Sequence, residues 1–182
     1  MNDLSTSLLL TSLTKFYNKH EKYKYMLKDI IDGKHKLSLR IIEWLVTHYA
    51  KLYNIYYWIN NTDEIFERLP DNYIDMNSFR KVNLYQDYRA QLKSYSKFNF
   101  DSFRRHDRIT FFINQEQMMY IETTIGQLNF FRWVFSNNII EYALKNYDDI
   151  YKEMISYNSH KNKIQATQNQ DIIHTKCLLK FD

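Results

Sequence analysis

Residues 109–135 read ITFFINQEQMMYIETTIGQLNFFRWVF, and the pattern changes twice within them. Ile109 to Ile113 and Met119 to Thr123 are β-branched and aromatic runs. Asn114 to Met118 separates them, which predicts a hairpin with a loop longer than two residues. Thr124 then stands three places before Gln127. That spacing suits a reciprocal helix cap, with the hydroxyl accepting from the later N–H and the Gln side chain reaching back. A helix is expected to start at Ile125. Asn129, Arg132 and Ser136 form a narrow polar stripe along it, and apolar side chains fill nearly everything else, so the helix is expected to be mostly buried. Asn137-Asn138 interrupts it, because Asn tolerates left-handed φ. An amphipathic helix from Ile140 to Met154 follows at three- and four-residue steps.

Upstream, Met1 to Ile31 reads as one helix with Gly33 as its stop. Ser38 can cap a core helix whose polar stripe is Arg40, Glu43, Thr47 and Lys51. Tyr53 to Ile59 is expected to become a strand after a break near Asn54. Asn60 to Asn77 holds five acids and Pro70, and reads as a surface connection with a short helix around Asp63 to Leu69. Val82 to Ser96 is helical again. The fold class expected is α+β, mostly helical, with about five helices packed on a small antiparallel sheet. One globular domain is expected over residues 1–155, a polar flexible segment over 156–173 and a C-terminal strand over 174–182.

Composition supports that outline. The 182 residues include two Gly and one Pro, which favours long helices over a sandwich or barrel. Aromatic residues make up 17%, so rings must supply much of the core volume. A single cysteine, Cys177, allows no internal disulfide. No run is long and apolar enough to span a membrane, so no membrane association is expected.

Charge is segregated along the chain. Residues 15–40 carry eight Lys and Arg against three acids, and residues 89–108 carry six against two. The whole chain is only +4, so the remainder is net acidic. Such separation suits a polar partner surface. Phe98 to Arg108 combines three Phe with three Arg. That is the composition of a surface that neutralises phosphates while rings stack on bases. The competing reading makes Phe98, Phe100 and Phe103 core plugs, with the Arg side chains paired to Asp101, Asp107 and the acidic connection at Asn60 to Asn77. Arg132 reads differently, as a structural ion pair with Glu122, Glu43 or Glu141.

Enzyme signatures are missing. Gly33 and Gly126 are too far apart in sequence to build a phosphate-cradling loop, and there is no G-x-S-x-G, H-E-x-x-H or C-x-x-C. The six His residues are scattered. Adjacent His106 and Asp107 generally point apart, and Lys34 after Asp29 and Asp32 follows a turn rather than a strand. No catalytic residue, metal site or cofactor is expected.

Several blocks carry a resemblance together: KLSLRIIEWLVTHY (36–49), QLKSYSK (91–97), FDSFRRHDRI (100–109), TTIGQLNFFRW (123–133) and the closing Phe181-Asp182. With them the chain resembles a protein family recurrent in nucleocytoplasmic large DNA viruses, the giant viruses. The resemblance implies a virus-encoded protein acting in the host cytoplasm, in the viral factory, or in the virion. It supplies no activity. The expected function is therefore a non-enzymatic nucleic-acid-associated factor. Lys34, Lys36, Arg40, Arg104, Arg105 and Arg108 would contact phosphates, and Phe103 would stack. The alternative is a structural or interaction protein of the virion or a larger assembly, with viral protein partners and aromatic-rich interfaces.

Overall fold

A computed structural model describes residues 3–69 and 78–161 of the chain. The α+β class, mostly helical, is borne out. At its centre is α6 (Ile125–Ser136), with Leu128, Phe131 and Val134 fully buried. Thr124 caps α6 as expected, its hydroxyl accepting from the Gln127 N–H at 3.1 Å. The Gln127 side chain does not return to the cap. Its Oε1 accepts from the Thr123 hydroxyl at 2.7 Å, and its Nε2 donates to the Ser102 carbonyl at 2.9 Å. The second half of the expected capping box is thus exchanged for contacts to the preceding strand and to a distant loop.

The hairpin is present as β4 (Ile109–Asn114) and β5 (Met119–Thr123), with a register irregularity between Phe112 and Asn114. Phe111, Ile113 and Ile121 point into the core while Phe112 and Tyr120 face out, as period-2 alternation requires.

Four expectations change. The single helix over Met1 to Ile31 is two: α1 (Asp3–Lys19) and α2 (Glu21–Ile31). The break falls at His20, whose ring lies 5.0 Å from Phe16 and 5.5 Å from Tyr23. Folding α2 back at this point stacks Tyr23 on Phe135 of α6 at 4.5 Å. The short helix at Asp63 to Leu69 is instead a strand, β2 (Ile65–Phe66). Asn60 explains it: its side-chain oxygen accepts from the Thr62 and Glu64 N–H groups, closing a turn that returns the chain alongside β1 (Tyr56–Asn60). Val82 does not open a helix either, and lies in β3 (Phe79–Asn83). Asn83 then caps α5 (Leu84–Asn99), accepting from the Gln86 N–H. A second, three-stranded antiparallel sheet, β2-β1-β3, therefore accompanies the hairpin.

The last change concerns the C-terminal helix. α7 (Ile139–Lys145) stops at Asn146, and α8 (147–161) then runs six residues into the segment expected to be a polar linker. Tyr157 explains the extension, packing 6.3 Å from Trp44 and 5.3 Å from His48. Residues 162–173 of that expected linker and the strand expected over 174–182 lie outside the described residues.

Other local expectations hold. Gly33 has φ +72° and closes α2 with paired bonds, Lys34 N–H to the Asp29 carbonyl and Gly33 N–H to the Ile30 carbonyl. Ser38 caps α3 (Leu39–Trp44), which continues through a π-helical turn (Leu45–Tyr49) into α4 (Ala50–Leu52). Asn54 (φ +48°) ends that unit before β1, and Asn138 (φ +51°) separates α6 from α7.

Candidate nucleic-acid interface

Arg89 and Lys93 stand one turn apart on the exposed side of α5, and Lys97 follows the break in helical geometry at Ser96. No acid falls between Asp87 and Asp101 in this part of the chain. Asp87 itself is engaged at the start of α5, accepting from the Asn83 N–H at 3.1 Å. The three cations share an open depression of about 650 Å³ with Tyr85 and Leu92. Tyr85 lies under two cations, with the Arg89 guanidinium 6.0 Å and the Lys51 amine 5.9 Å from its ring.

The α3–α4 unit lies antiparallel beside α5. Lys51 sits at Tyr85, while Glu43, two turns earlier, lines a small polar cavity of about 140 Å³ with Tyr88, Lys97 and Asp101. Arg40, one turn before Glu43 and exposed, therefore lies toward the Lys97 end of α5. Burial pushes the Glu43 carboxyl up; a Thr47 hydrogen bond opposes this and the Asp101 charge adds to it. Burial likewise lifts the Tyr88 phenol to about 12, with Glu43 and Asp101 contributing.

Ser96 occupies φ 60°, ψ 166°, a region that side chains rarely adopt. It kinks the end of α5 and leads into the basic loop 98–108. That loop is held against α6 at several points. Phe100 is buried against Phe130 and Trp133. The Asn129 side chain donates to the Asn99 carbonyl at 2.8 Å, and Gln127 donates to Ser102. Gly126 allows the approach: a Cβ there would stand 3.1 Å from the Phe98 carbonyl oxygen. Asp101 accepts from the Phe103 N–H at 2.8 Å and closes the turn.

The expected phosphate contacts divide into two groups. Phe103, 43% exposed, and the exposed Arg105 and Arg108 project from the anchored loop, the two Arg with no side-chain partner among the described residues. Arg104 is engaged, its guanidinium 4.0 Å from the Phe98 ring centroid and donating to Asp107 at 2.6 Å. Lys34 and Lys36 are drawn to local partners, Lys34 to Asp32 at 3.7 Å and Lys36 over the Tyr147 ring at 4.4 Å. Of the three Phe in the loop, only Phe100 is a core plug; Phe98 is 40% exposed.

Arg132 does not form the expected ion pair. It donates to Ser12 Oγ, the Tyr95 hydroxyl and Asn129 Oδ1 at 3.1, 3.2 and 2.6 Å, tying α1 and α5 to α6 through neutral acceptors. The anchors Gly126, Gln127 and Asn129 were not marked by sequence reasoning as loop contacts. Gln127 and Asn129, polar side chains in the first half of a mostly buried helix, were the available signal.

Among the described residues no cluster of His, Cys, Asp and Glu could hold a metal ion, and no helix is long and apolar enough to cross a membrane. Comparison with solved structures finds no match. The chain is 31% identical over 170 residues to "Uncharacterized protein L507" of Acanthamoeba polyphaga mimivirus, covering 90% of this chain and 60% of that protein. The resemblance to a giant-virus protein is thus borne out, and this chain spans about 60% of its relative's length. A family of unknown function, DUF7197, matches residues 4–177, and the chain belongs to that family.

Proposed function

We propose that the protein is a non-enzymatic, nucleic-acid-associated viral factor that binds phosphate backbones along α5 and the loop that follows it. It would act in the host cytoplasm, at the viral factory, or in the particle. The observation that carries this reading is the open depression shared by Arg89, Lys93 and Lys97, with no acid among its lining residues, which leads into a loop presenting Arg105 and Arg108. Arg40 and Lys51 flank the row from the neighbouring helix. Five phosphate contacts would give a slope of log affinity against log salt of roughly −3.5 for a single strand and −4.5 for a duplex.

The test is binding of labelled oligonucleotides across salt concentrations, for the parent chain and for charge-removed variants. Arg105→Ala with Arg108→Ala should weaken binding and flatten the salt slope by roughly 1.4 for a single strand and 1.8 for a duplex. Arg104→Ala should weaken it less, because that guanidinium is already tied to Asp107 and Phe98. A salt-insensitive affinity, or one unchanged in Arg89→Ala, Lys93→Ala, Lys97→Ala, would overturn the reading.

A second reading, an interaction protein of the virion or a larger assembly, is favoured by one observation. Leu4 and Leu8 stand 74% and 63% exposed, one turn apart on α1. Association lost on Leu4→Asp and Leu8→Asp, with no nucleic acid bound, would support it.

A further inference from the structure

Strand alternation gives the β2-β1-β3 sheet two unlike faces. Tyr57, Ile59 and Val82 point inward and are buried. Outward lie Tyr56, Trp58 and Asn60 on β1, with Lys81, Asn83 and Phe79 opposite them on β3 and Phe66 opposite Trp58 on β2. Four of these seven side chains are rings, one is a cation and none is an acid. Tyr56 is 43% exposed and stands edge-on to Trp58 at 5.4 Å, 87° between planes. The Lys81 amine serves both rings, 4.6 Å from Tyr56 and 5.3 Å from Trp58.

We propose that this outward sheet face is a stacking platform for the unpaired bases of a single-stranded nucleic acid, with Tyr56 and Trp58 as the stacking groups and Lys81 on the adjoining phosphate. The proposal rests on the preceding reading and narrows it from nucleic acid in general to single strands. An exposed Tyr56 and a half-buried Trp58 beside Lys81, with the Glu64 carboxylate at the other end of β1 where Asn60 Nδ2 donates to it at 3.4 Å, complement a ligand that combines flat π faces with negative charge. A base pair inside a duplex has its faces covered by its neighbours and cannot use such rings; an unstacked base can. The platform also adjoins the cationic row in the chain. Tyr56 pairs with Asn83, the residue that caps α5, and Tyr85 opens the depression holding Arg89 and Lys93. A strand could therefore place bases on the sheet and continue its backbone along α5.

Trp44 and Trp133 are buried, so Trp58 is the tryptophan placed to report contact. The probes are end-labelled oligo(dT) and oligo(rU), which form little structure of their own, and a hairpin duplex, titrated against the full chain by anisotropy and tryptophan emission. Both single strands should quench emission and bind more tightly than the duplex; a difference between them would say whether the sugar is read. Tyr56→Ala with Trp58→Ala should weaken single-strand binding about tenfold or more and leave duplex binding unchanged. Trp58→Phe should keep affinity and lose the quench, which guards against a fold defect in the double variant.

If the platform variants bind both ligands normally while Arg89→Ala, Lys93→Ala, Lys97→Ala weakens both, the platform is overturned and the broader reading stands. If neither set changes binding, both fall. A dimer abolished by Tyr56→Ala and Trp58→Ala, with oligonucleotide affinity untouched, would reassign the face to a second copy of the chain.

Discussion

Gln127→Met would cut the link that joins the hairpin exit to the basic loop while nearly preserving side-chain volume. Gln127 is 9% exposed, and its two partners are more deeply buried: Ser102 at 3% and Thr123 at 1%. Removing the amide leaves the Ser102 carbonyl and the Thr123 hydroxyl without their protein partners. Each orphaned buried group costs about 1–3 kcal/mol, and a hydroxyl can re-aim, so about 2–4 kcal/mol in total is expected. The similar size of Met keeps the packing penalty small. For a chain of this length that corresponds to a fall in Tm of roughly 4–16 °C. Urea unfolding should show a lower midpoint with an unchanged m-value.

A double-mutant cycle isolates the bond itself. Thr123→Val combined with Gln127→Met should cost less than the two singles together by about 1 kcal/mol, because the two side chains share a hydrogen bond. A Gln127→Met loss below about 0.5 kcal/mol would refute the assignment of Gln127 as the anchor, as would strict additivity in the cycle.

Three further outcomes are expected. Arg132→Met should cost about 2–3 kcal/mol in urea unfolding by removing charged donors from Ser12, Tyr95 and Asn129, and Arg132→Lys should recover less than half, since an ammonium lacks the planar fork. Glu43 has a folded-state pKa raised by burial, so the folded chain holds that proton more tightly than the unfolded chain. Stability from this group is present at low pH and is lost as pH rises from the ordinary carboxylate value of about 4.3 through the raised one. Glu43→Gln should flatten that pH dependence and stabilise at neutral pH, read from thermal melts at a series of pH values. Ser96→Gly should raise stability by about 1 kcal/mol, because the relief of roughly 1–3 kcal/mol of backbone strain exceeds the entropy cost of glycine.

The features legible in the sequence are those whose cause lies within a few residues. Thr124, Ser38 and Gly33 act on N–H and carbonyl groups three to five places away, and each marks a helix end as read. The hairpin is legible because both strands are β-branched and aromatic runs with a polar loop between them. β3 was not, because Arg80 and Lys81 stand side by side and break the alternation. Arg80 occupies the inward register only because the end of α6 offers it acceptors, Asn137 Oδ1 at 2.6 Å and the Ser136 carbonyl at 2.9 Å. The break at His20 has the same kind of cause, since the reward for folding α2 back is a ring on α6 more than 100 residues away. In the candidate interface, charge was readable but partnership was not. Lys34, Lys36 and Arg105 look alike in composition, and only the fold shows that Asp32 and Tyr147 engage the first two.

The anchoring of the loop bears on why Arg105 and Arg108 are better placed for phosphates than the lysines near Gly33. A side chain on a mobile backbone pays ordering entropy twice on binding, once for the loop and once for its own rotamers. Here the loop backbone is already held by Asn129, Gln127 and the Asp101 turn, and Gly126 lets it sit close against α6. These contacts hold the backbone as far as Phe103, so a phosphate reaching Arg105 or Arg108 would have less of the loop left to order. On the proposed nucleic-acid reading, the bonds that hold this loop would serve affinity as well as stability, so loosening Gln127 should weaken oligonucleotide binding even though Gln127 itself is buried.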